Sequence, residues 1–261
     1  MARILALSSL VARGNVGLAA TVPALHFLGH EVWAVPTVLL ASRPGLGRRA
    51  LHETPPEYLA AVLAAWRSDG CLASLAAVFA GYFPSARSVA AAAKMVAAVK
   101  AASPDALVLV DPVLGDAGAL YVTPETAAAV GRELVPLASV TCPNLFELGW
   151  LTGESPATLD AVADAARRLG PARVIVTSAA ESAEAVTTLL VGQDITLART
   201  LPRRAAVPNG AGDVFAGLFL GRLLQQHSAT AALDASLADL DRVLAASQGR
   251  AVLQLSALQS C

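Results

Sequence analysis

The stretch ALVLVDPVLGD, Ala106 to Asp116, decides the fold. Five apolar residues run without alternation into an Asp-Pro pair, and a second Gly-Asp pair follows. A strand that is apolar on every position has both faces covered. That is the habit of parallel sheets sandwiched between helices, not of half-solvated antiparallel ones.

Reading outward, the same grammar repeats. RILALSS (3–9) and EVWAVPTVLL (31–40) read as the first two strands, with the helix LAATVPALHFLGH between them, ending at Gly29. A third strand lies near Leu75–Ala80, after a helix that starts at Pro55-Pro56 and stops before Gly70. The Ala-rich SARSVAAAAKMVAAVKAASP supplies the next helix and leads into the opening stretch. TPETAAAVGRELVPLA reads as one helix capped by Thr123, SVTCPN as a fifth strand and LFELGWLTG as a short helix. SPATLDAVADAARRLG is a helix capped by Ser155, and ARVIVTS a sixth strand. AVTTLLVG and DITLART form a hairpin or edge pair, and a last helix spans roughly 230–247. Strands alternating with helices predict an α/β layer sandwich, with a mostly parallel central sheet and helices on both faces. No repeat, linker or composition break divides the chain, so residues 1–261 are expected to form a single domain.

Composition narrows the functional classes. The chain has 261 residues, 55% apolar and 15% charged, with a formal net charge of -1. There is no basic excess to neutralise a nucleic-acid backbone. No uninterrupted run of 18 apolar residues is present and the N-terminus reads as a buried strand, so no membrane span or signal peptide is expected and the cytoplasm is the default. Cys71, Cys142 and Cys261 form no C-x-x-C pair. His26 and His30 have helical spacing, but Gly29 falls where that helix should end, which argues against zinc.

In sheets of this kind, ligands bind beyond the carboxyl ends of the strands. The polar residues collect there: Ser8 and Ser9, Thr37, Gly81 and Tyr82, Asp111, Asn144 and Glu147, then Thr177 and Ser178. The remaining signal is PNGAGDVFAGLFLG (208–221), a glycine-rich turn that becomes an apolar helix. The N–H groups of Ala211, Gly212 and Asp213 can converge there on an anion, with the helix dipole adding to their field. A carboxylate beside a bound phosphate is useful when a hydroxyl attacking the phosphorus must lose its proton. The plainer alternative is a tight strand-to-helix turn, with Asp213 compensating the dipole. No G-x-x-x-x-G-K-[ST], complete G-x-G-x-x-G or G-x-S-x-G is present.

The GAGD run resembles the helix-start motif of the ribokinase superfamily. LALSSLVARGNVGLAA, VPTVLLAS, AGYF, VLVDPVLGDAGALYV, VTCPNLFELGWLTG and VIVTS together resemble pyridoxal kinases in collinear order. The resemblance implies a ribokinase-like three-layer sandwich that phosphorylates the 5'-hydroxymethyl group of pyridoxal, with pyridoxine and pyridoxamine as further acceptors. Hydroxymethylpyrimidine is the alternative substrate, and a catalytically weak vitamer-binding relative the alternative class.

By that resemblance Asp213 is the catalytic base, and Gly210, Ala211 and Gly212 form the anion hole. Ser9, Thr37 and Tyr82 line the ring pocket, the last two also being open to reading as ordinary strand and core residues. Asp111, Asn144, Glu147, Thr177 and Ser178 serve the nucleotide, and Asp111 and Glu147 hold Mg²⁺ through water. Glu147 is also open to a reading as a solvated helix residue, and Asp116 as a turn cap. ATP, Mg²⁺, optional K⁺ and a homodimer complete the expectation.

The departures are Leu10 and Arg13, which stand where that family carries a histidine and an aromatic. Ala41-Ser42-Arg43 followed by Pro44-Gly45 replace its Ser-Asn-His and flap. Arg43, Arg48 and Arg49 either close over ATP or are solvated loop charges.

Overall fold

The computed structural model describes residues 1–43 and 50–259. Pro44, Gly45, Arg48, Arg49 and Cys261, all named above, lie outside the described residues.

The chain runs β1 (Arg3–Val11), α1 (Leu18–Phe27), β2 (Glu31–Leu40), β3 (Leu51–Glu53), α2 (Pro56–Ser68), β4 (Ala77–Ala80), α3 (Ala86–Ala102) and β5 (Leu107–Val110). It continues with β6 (Gly115–Asp116), β7 (Ala119–Leu120), α4 (Pro124–Ala129), β8 (Val140–Thr141), α5 (Leu145–Thr152), α6 (Leu159–Arg168) and β9 (Arg173–Glu181). Then come β10 (Ala185–Gly192), β11 (Thr196–Pro202), α7 (Ala211–Leu224) and α8 (Ala229–Ser247).

Nine strands form one sheet in the order β11-β10-β9-β8-β5-β4-β1-β2-β3. The six central strands from β9 to β2 pair in parallel, and β3, β10 and β11 add antiparallel edges. Strand order reverses between β1 and β4, which places the switch point, and the crevice it opens, beside the ends of those strands.

Successive residues point to opposite faces, and both faces are greasy. Ile4, Ala6, Phe79 and Leu109 face a cluster built with α1, α7 and α8. Leu5, Leu7, Val78 and Val110 face the cluster of α2, α3 and the α4 region, while Val174 and Val176 pack with α5 and α6. Phe215 and Phe219 of α7 stack with centroids 5.9 Å apart. Burying each such ring contributes about 2–3 kcal/mol. The middle of α7 is buried on all sides because Gly217 lets α1 approach: a Cβ there would lie 3.1 Å from the Thr21 carbonyl oxygen.

Several local expectations are corrected. The fifth strand is only Val140–Thr141, extended by a lone bridge from Asn144 to Thr177. The single helix expected after Thr123 stops at Ala129, continues as a π turn over Val130–Leu134 and ends in a 3₁₀ turn at Val135–Leu137. Gly131 and Pro136 interrupt the regular α ladder there. The cap of α6 is Thr158, not Ser155: its side chain accepts from the Ala161 N–H at 3.2 Å. His30 is tied to backbone at both ring nitrogens, Nδ1 to the Ala2 N–H and Nε2 to the Gly221 carbonyl, so neither is free for a metal.

Candidate active site

The carboxyl ends of the parallel strands carry the polar residues. On the β1/β4 side, Ser8 Oγ accepts from the Tyr82 N–H at 3.0 Å and Thr37 Oγ1 donates to the Tyr82 carbonyl at 2.7 Å. Thr37 is the extra residue of a bulge, since Ser8 pairs with Pro36 and Ser9 with Val38. Thr37 is fully buried, so it shapes the site by fixing Tyr82. Ser8, which sequence reasoning noted only as a strand end, does the same from the other side. Ser9 is buried against Gly17: a Cβ on Gly17, which has φ +57°, would lie 2.3 Å from both the carbonyl oxygen and the Oγ of Ser9.

On the β5/β8/β9 side, Asn144 caps α5. Its side chain accepts from the Glu147 N–H at 2.8 Å and donates to the Gly115 carbonyl at 2.8 Å. Glu147 answers with three acceptances, from the N–H groups of Asn144, Leu114 and Gly115. It is 4% exposed, which removes the solvated reading. The Asn-x-x-Glu spacing before an apolar run is the sequence signal of such a reciprocal cap. Asp116 is exposed and accepts from the Ala117 N–H at 2.7 Å, capping its own turn between β6 and β7. Thr177 and Ser178 occupy a bulge of β9 opposite Thr188, with Ser178 at φ 50°, a strained setting for a residue with a side chain.

Three carboxylates define the electrostatics. Burial, and then the negative charges of Asp213 and Glu147, push Asp111 well above the usual carboxylate range. Burial raises Glu147 to about 8 against its three amide donors. Burial raises Asp213 to about 6, and a hydrogen bond from the Gly17 backbone pulls the other way. Asp213 is half-buried and keeps some solvent contact while protein surrounds it.

The start of α7 completes the arrangement. Gly210 has φ +116°, and no side chain caps the helix. Among the described residues no acceptor is found for the N–H groups of Ala211, Gly212 and Asp213; the first internal bond runs from the Val214 N–H to the Gly210 carbonyl at 3.1 Å. These uncapped donors are a ready anion site with a carboxylate of raised pKa beside it.

No group of three or more His, Cys, Asp or Glu side chains among the described residues could hold a metal by itself. The side chains still suit a hard cation arriving with phosphate oxygens: among the described residues no hydrogen-bond donor is found for the Asp111 carboxylate, which is buried and crowded by like charge.

A ribokinase-like sheet with this amide turn and flanking carboxylate defines a small-molecule kinase. The chain belongs to the phosphomethylpyrimidine kinase family, which it matches over residues 12–258. It is 36% identical to pyridoxal kinase PdxY of Deinococcus radiodurans, over 92% of this chain and 85% of that one. The structure is similar to pyridoxal kinase from Leishmania donovani in complex with ADP and pyridoxamine, with TM-score 0.92, 25% identity, and coverage of 100% and 96% of the two chains. It is also similar to a putative phosphomethylpyrimidine kinase from Bacteroides thetaiotaomicron with pyridoxal, with TM-score 0.85, 26% identity, and coverage of 94% and 88%.

Proposed function

We propose that the chain transfers the γ-phosphoryl group of ATP to the 5'-hydroxymethyl group of pyridoxal, giving pyridoxal 5'-phosphate and ADP in vitamin B6 salvage. Pyridoxine and pyridoxamine are further acceptors. The observation that carries this reading is the row of uncapped amides at Ala211–Asp213 beside a carboxylate raised to about 6. The relatives named as pyridoxal kinases, and the complex holding ADP with a vitamer, support it.

Asp213 takes the hydroxymethyl proton as the alcohol oxygen bonds to phosphorus. The bond from phosphorus to the bridging oxygen of ADP breaks, and the amides of the Gly210–Asp213 turn hold the charge that develops on the moving group. Ser9 and Tyr82, the latter fixed by Ser8 and Thr37, bound the ring pocket. Asp111, Asn144, Glu147, Thr177 and Ser178 bound the nucleotide side. Mg²⁺ supplies countercharge to the phosphate oxygens when bound; Asp111 would hold it, with Glu147 acting through water. K⁺ is an optional activator. The chain acts as one domain, as a homodimer, in the cytoplasm.

A second substrate reading is favoured by the altered ring loops. Leu10 and Arg13 stand where pyridoxal kinases carry a histidine and an aromatic, Ala41–Arg43 stand where their flap with its polar ring contacts begins, and the matching family is described by its pyrimidine substrate. Hydroxymethylpyrimidine is that alternative.

The test measures ADP release with MgATP and each of pyridoxal, pyridoxine, pyridoxamine and hydroxymethylpyrimidine. The largest kcat/KM is expected with pyridoxal, and Asp213→Asn is expected to lower kcat by ~10²–10⁴. A pyrimidine preference selects the second reading. Equal activity of Asp213→Asn and wild type removes the base, and no turnover with any alcohol leaves only a vitamer-binding relative.

A further inference from the structure

Asp213 does not stand alone on α7. The Gly17 backbone faces its carboxylate, and Thr21 Oγ1 donates to its own carbonyl at 3.2 Å. Gly17 ends a short connection, residues 12–17, that leaves β1 and enters α1. Its placement relative to Asp213 therefore depends on what fixes that connection.

The fixing comes from the far end of the chain. Asn15 Nδ2 donates to the Leu253 carbonyl at 2.7 Å, across 238 residues of sequence. The Asn15 carbonyl oxygen lies 2.1 Å from where a Cβ on Gly210 would stand, and Leu253 Cδ1 lies 2.9 Å from the same point. Asn15 and Leu253 thus form one wall against the residue that opens the anion turn. Three further bonds hold the wall. Arg43 donates to the Ala251 carbonyl at 2.8 Å and, through its backbone N–H, to the Arg13 carbonyl at 3.0 Å. The Gln254 N–H bonds to Ser247 Oγ at 2.8 Å, anchoring the segment to the end of α8. Leu253 itself is 1% exposed, so this wall is part of the core.

We infer that Asn15 is a positioning residue for phosphoryl transfer: its side-chain bond to the Leu253 carbonyl sets the Gly17 backbone and the Gly210 turn in register on the two sides of Asp213. The inference rests on the reading of Asp213 as the base. Asn15 touches neither nucleotide nor alcohol in this scheme. Losing its amide lets two backbone segments drift relative to the base, which lowers the rate of the bound complex and leaves binding nearly intact.

The experiment compares wild type with Asn15→Ala and Asn15→Gln, using MgATP and the best acceptor alcohol. Asn15→Ala is expected to lower kcat by ~10–100-fold, the scale on which an ångström of misplacement acts, with both KM values within about threefold. Amide hydrogen exchange is expected to quicken across residues 12–18, 208–213 and 250–254 and nowhere else. Asn15→Gln keeps the donor on a longer stem and is expected to recover part of the loss. Should Asn15→Ala fail to fold, the Gln variant alone decides, with a severalfold lower kcat at unchanged KM.

Wild-type kcat in either folded variant overturns the inference, as does a loss confined to KM or an exchange increase spread over the whole chain. Asp213→Asn in the same assay separates the two readings. If it turns over like wild type, the base assignment has failed. If it is inactive while Asn15→Ala is fully active, only the positioning role has failed.

Discussion

At the scale of single residues, the acid on α7 sets activity against stability. Burial lifts the Asp213 carboxyl from 3.8 to about 6. The folded state then holds its proton more tightly than the unfolded chain does, so this group favours folding at low pH. That advantage is lost as pH rises from about 4 through about 6. On the proposed role of Asp213 as base, turnover runs the other way, because a base must be unprotonated: kcat is expected to fall with an acid limb near pH 6. Asp213→Asn removes the charge. Above pH ~6 it should be more stable than wild type by about 1–2 kcal/mol, discounting for the solvent contact of the group, which is roughly 2–6 °C in Tm. Below pH ~4 the two should melt together. Thermal melts of both proteins at pH 4 and pH 8 check this. A variant less stable at pH 8 would show that the carboxylate serves the fold rather than the reaction.

At the scale of elements, the glycines that open α7 divide between fold and function. Gly210 is dictated by the backbone: φ is +116°, and a Cβ would lie 2.1 Å from the Asn15 carbonyl oxygen. Gly210→Ala should cost several kcal/mol, as strain and overpacking add at ~1–3 kcal/mol each. Gly212 has no such need, since a Cβ there meets nothing within 4 Å and φ is not positive. Gly212→Ala should leave Tm equal or slightly raised, by up to ~1 kcal/mol of helix propensity. It should still lose ~10²–10³ in kcat/KM for ATP, by placing a methyl at the mouth of the anion turn. Melting and steady-state kinetics on both variants test the division; full turnover in Gly212→Ala would mean the turn holds no phosphate.

The same contrast shows what was legible in the sequence. Unbroken apolar runs announced the parallel strands, and GAGD announced the helix start, because each is a local pattern. Ser8, Thr37 and Asn15 act through bonds to Tyr82 and Leu253, which lie 45 residues or more away in sequence. No spacing rule reaches so far. The resemblance assigns Asn144 and Glu147 to the nucleotide, and Glu147 also to magnesium, although their Asn-x-x-Glu spacing also spells a reciprocal cap. The two-residue β8 and the π turn after α4 escaped because tertiary pairing and interrupted helix chemistry fix them.

At the scale of the whole molecule, the sheet gathers onto one rim groups that no single element could supply. β1 gives Ser9, the residue that follows β5 is Asp111, the start of α5 gives Asn144 and Glu147, and α7 returns to set Asp213 near Asp111. The cost is a set of carboxyl groups that ionise with difficulty: burial, and then the charges of Asp213 and Glu147, raises Asp111, and burial raises Glu147 to about 8. Ionising these groups beside a bare polyphosphate is unfavourable unless a cation arrives with it. Because the described residues provide no metal cage of their own, the cation should bind with the nucleotide rather than before it. Chelation of the ligand-free protein is therefore expected to leave Tm unchanged. ADP alone should raise Tm little, while ADP with Mg²⁺ should raise it as RT ln(1 + [L]/Kd), ~3 kcal/mol at a hundredfold excess over Kd. Asp111→Asn should shrink the difference between the two nucleotide melts by easing the repulsion and removing a metal-facing oxygen together. A protein that loses stability on chelation without nucleotide, or that answers ADP and MgADP alike, would place the cation elsewhere and leave the raised carboxylates of the rim without this role.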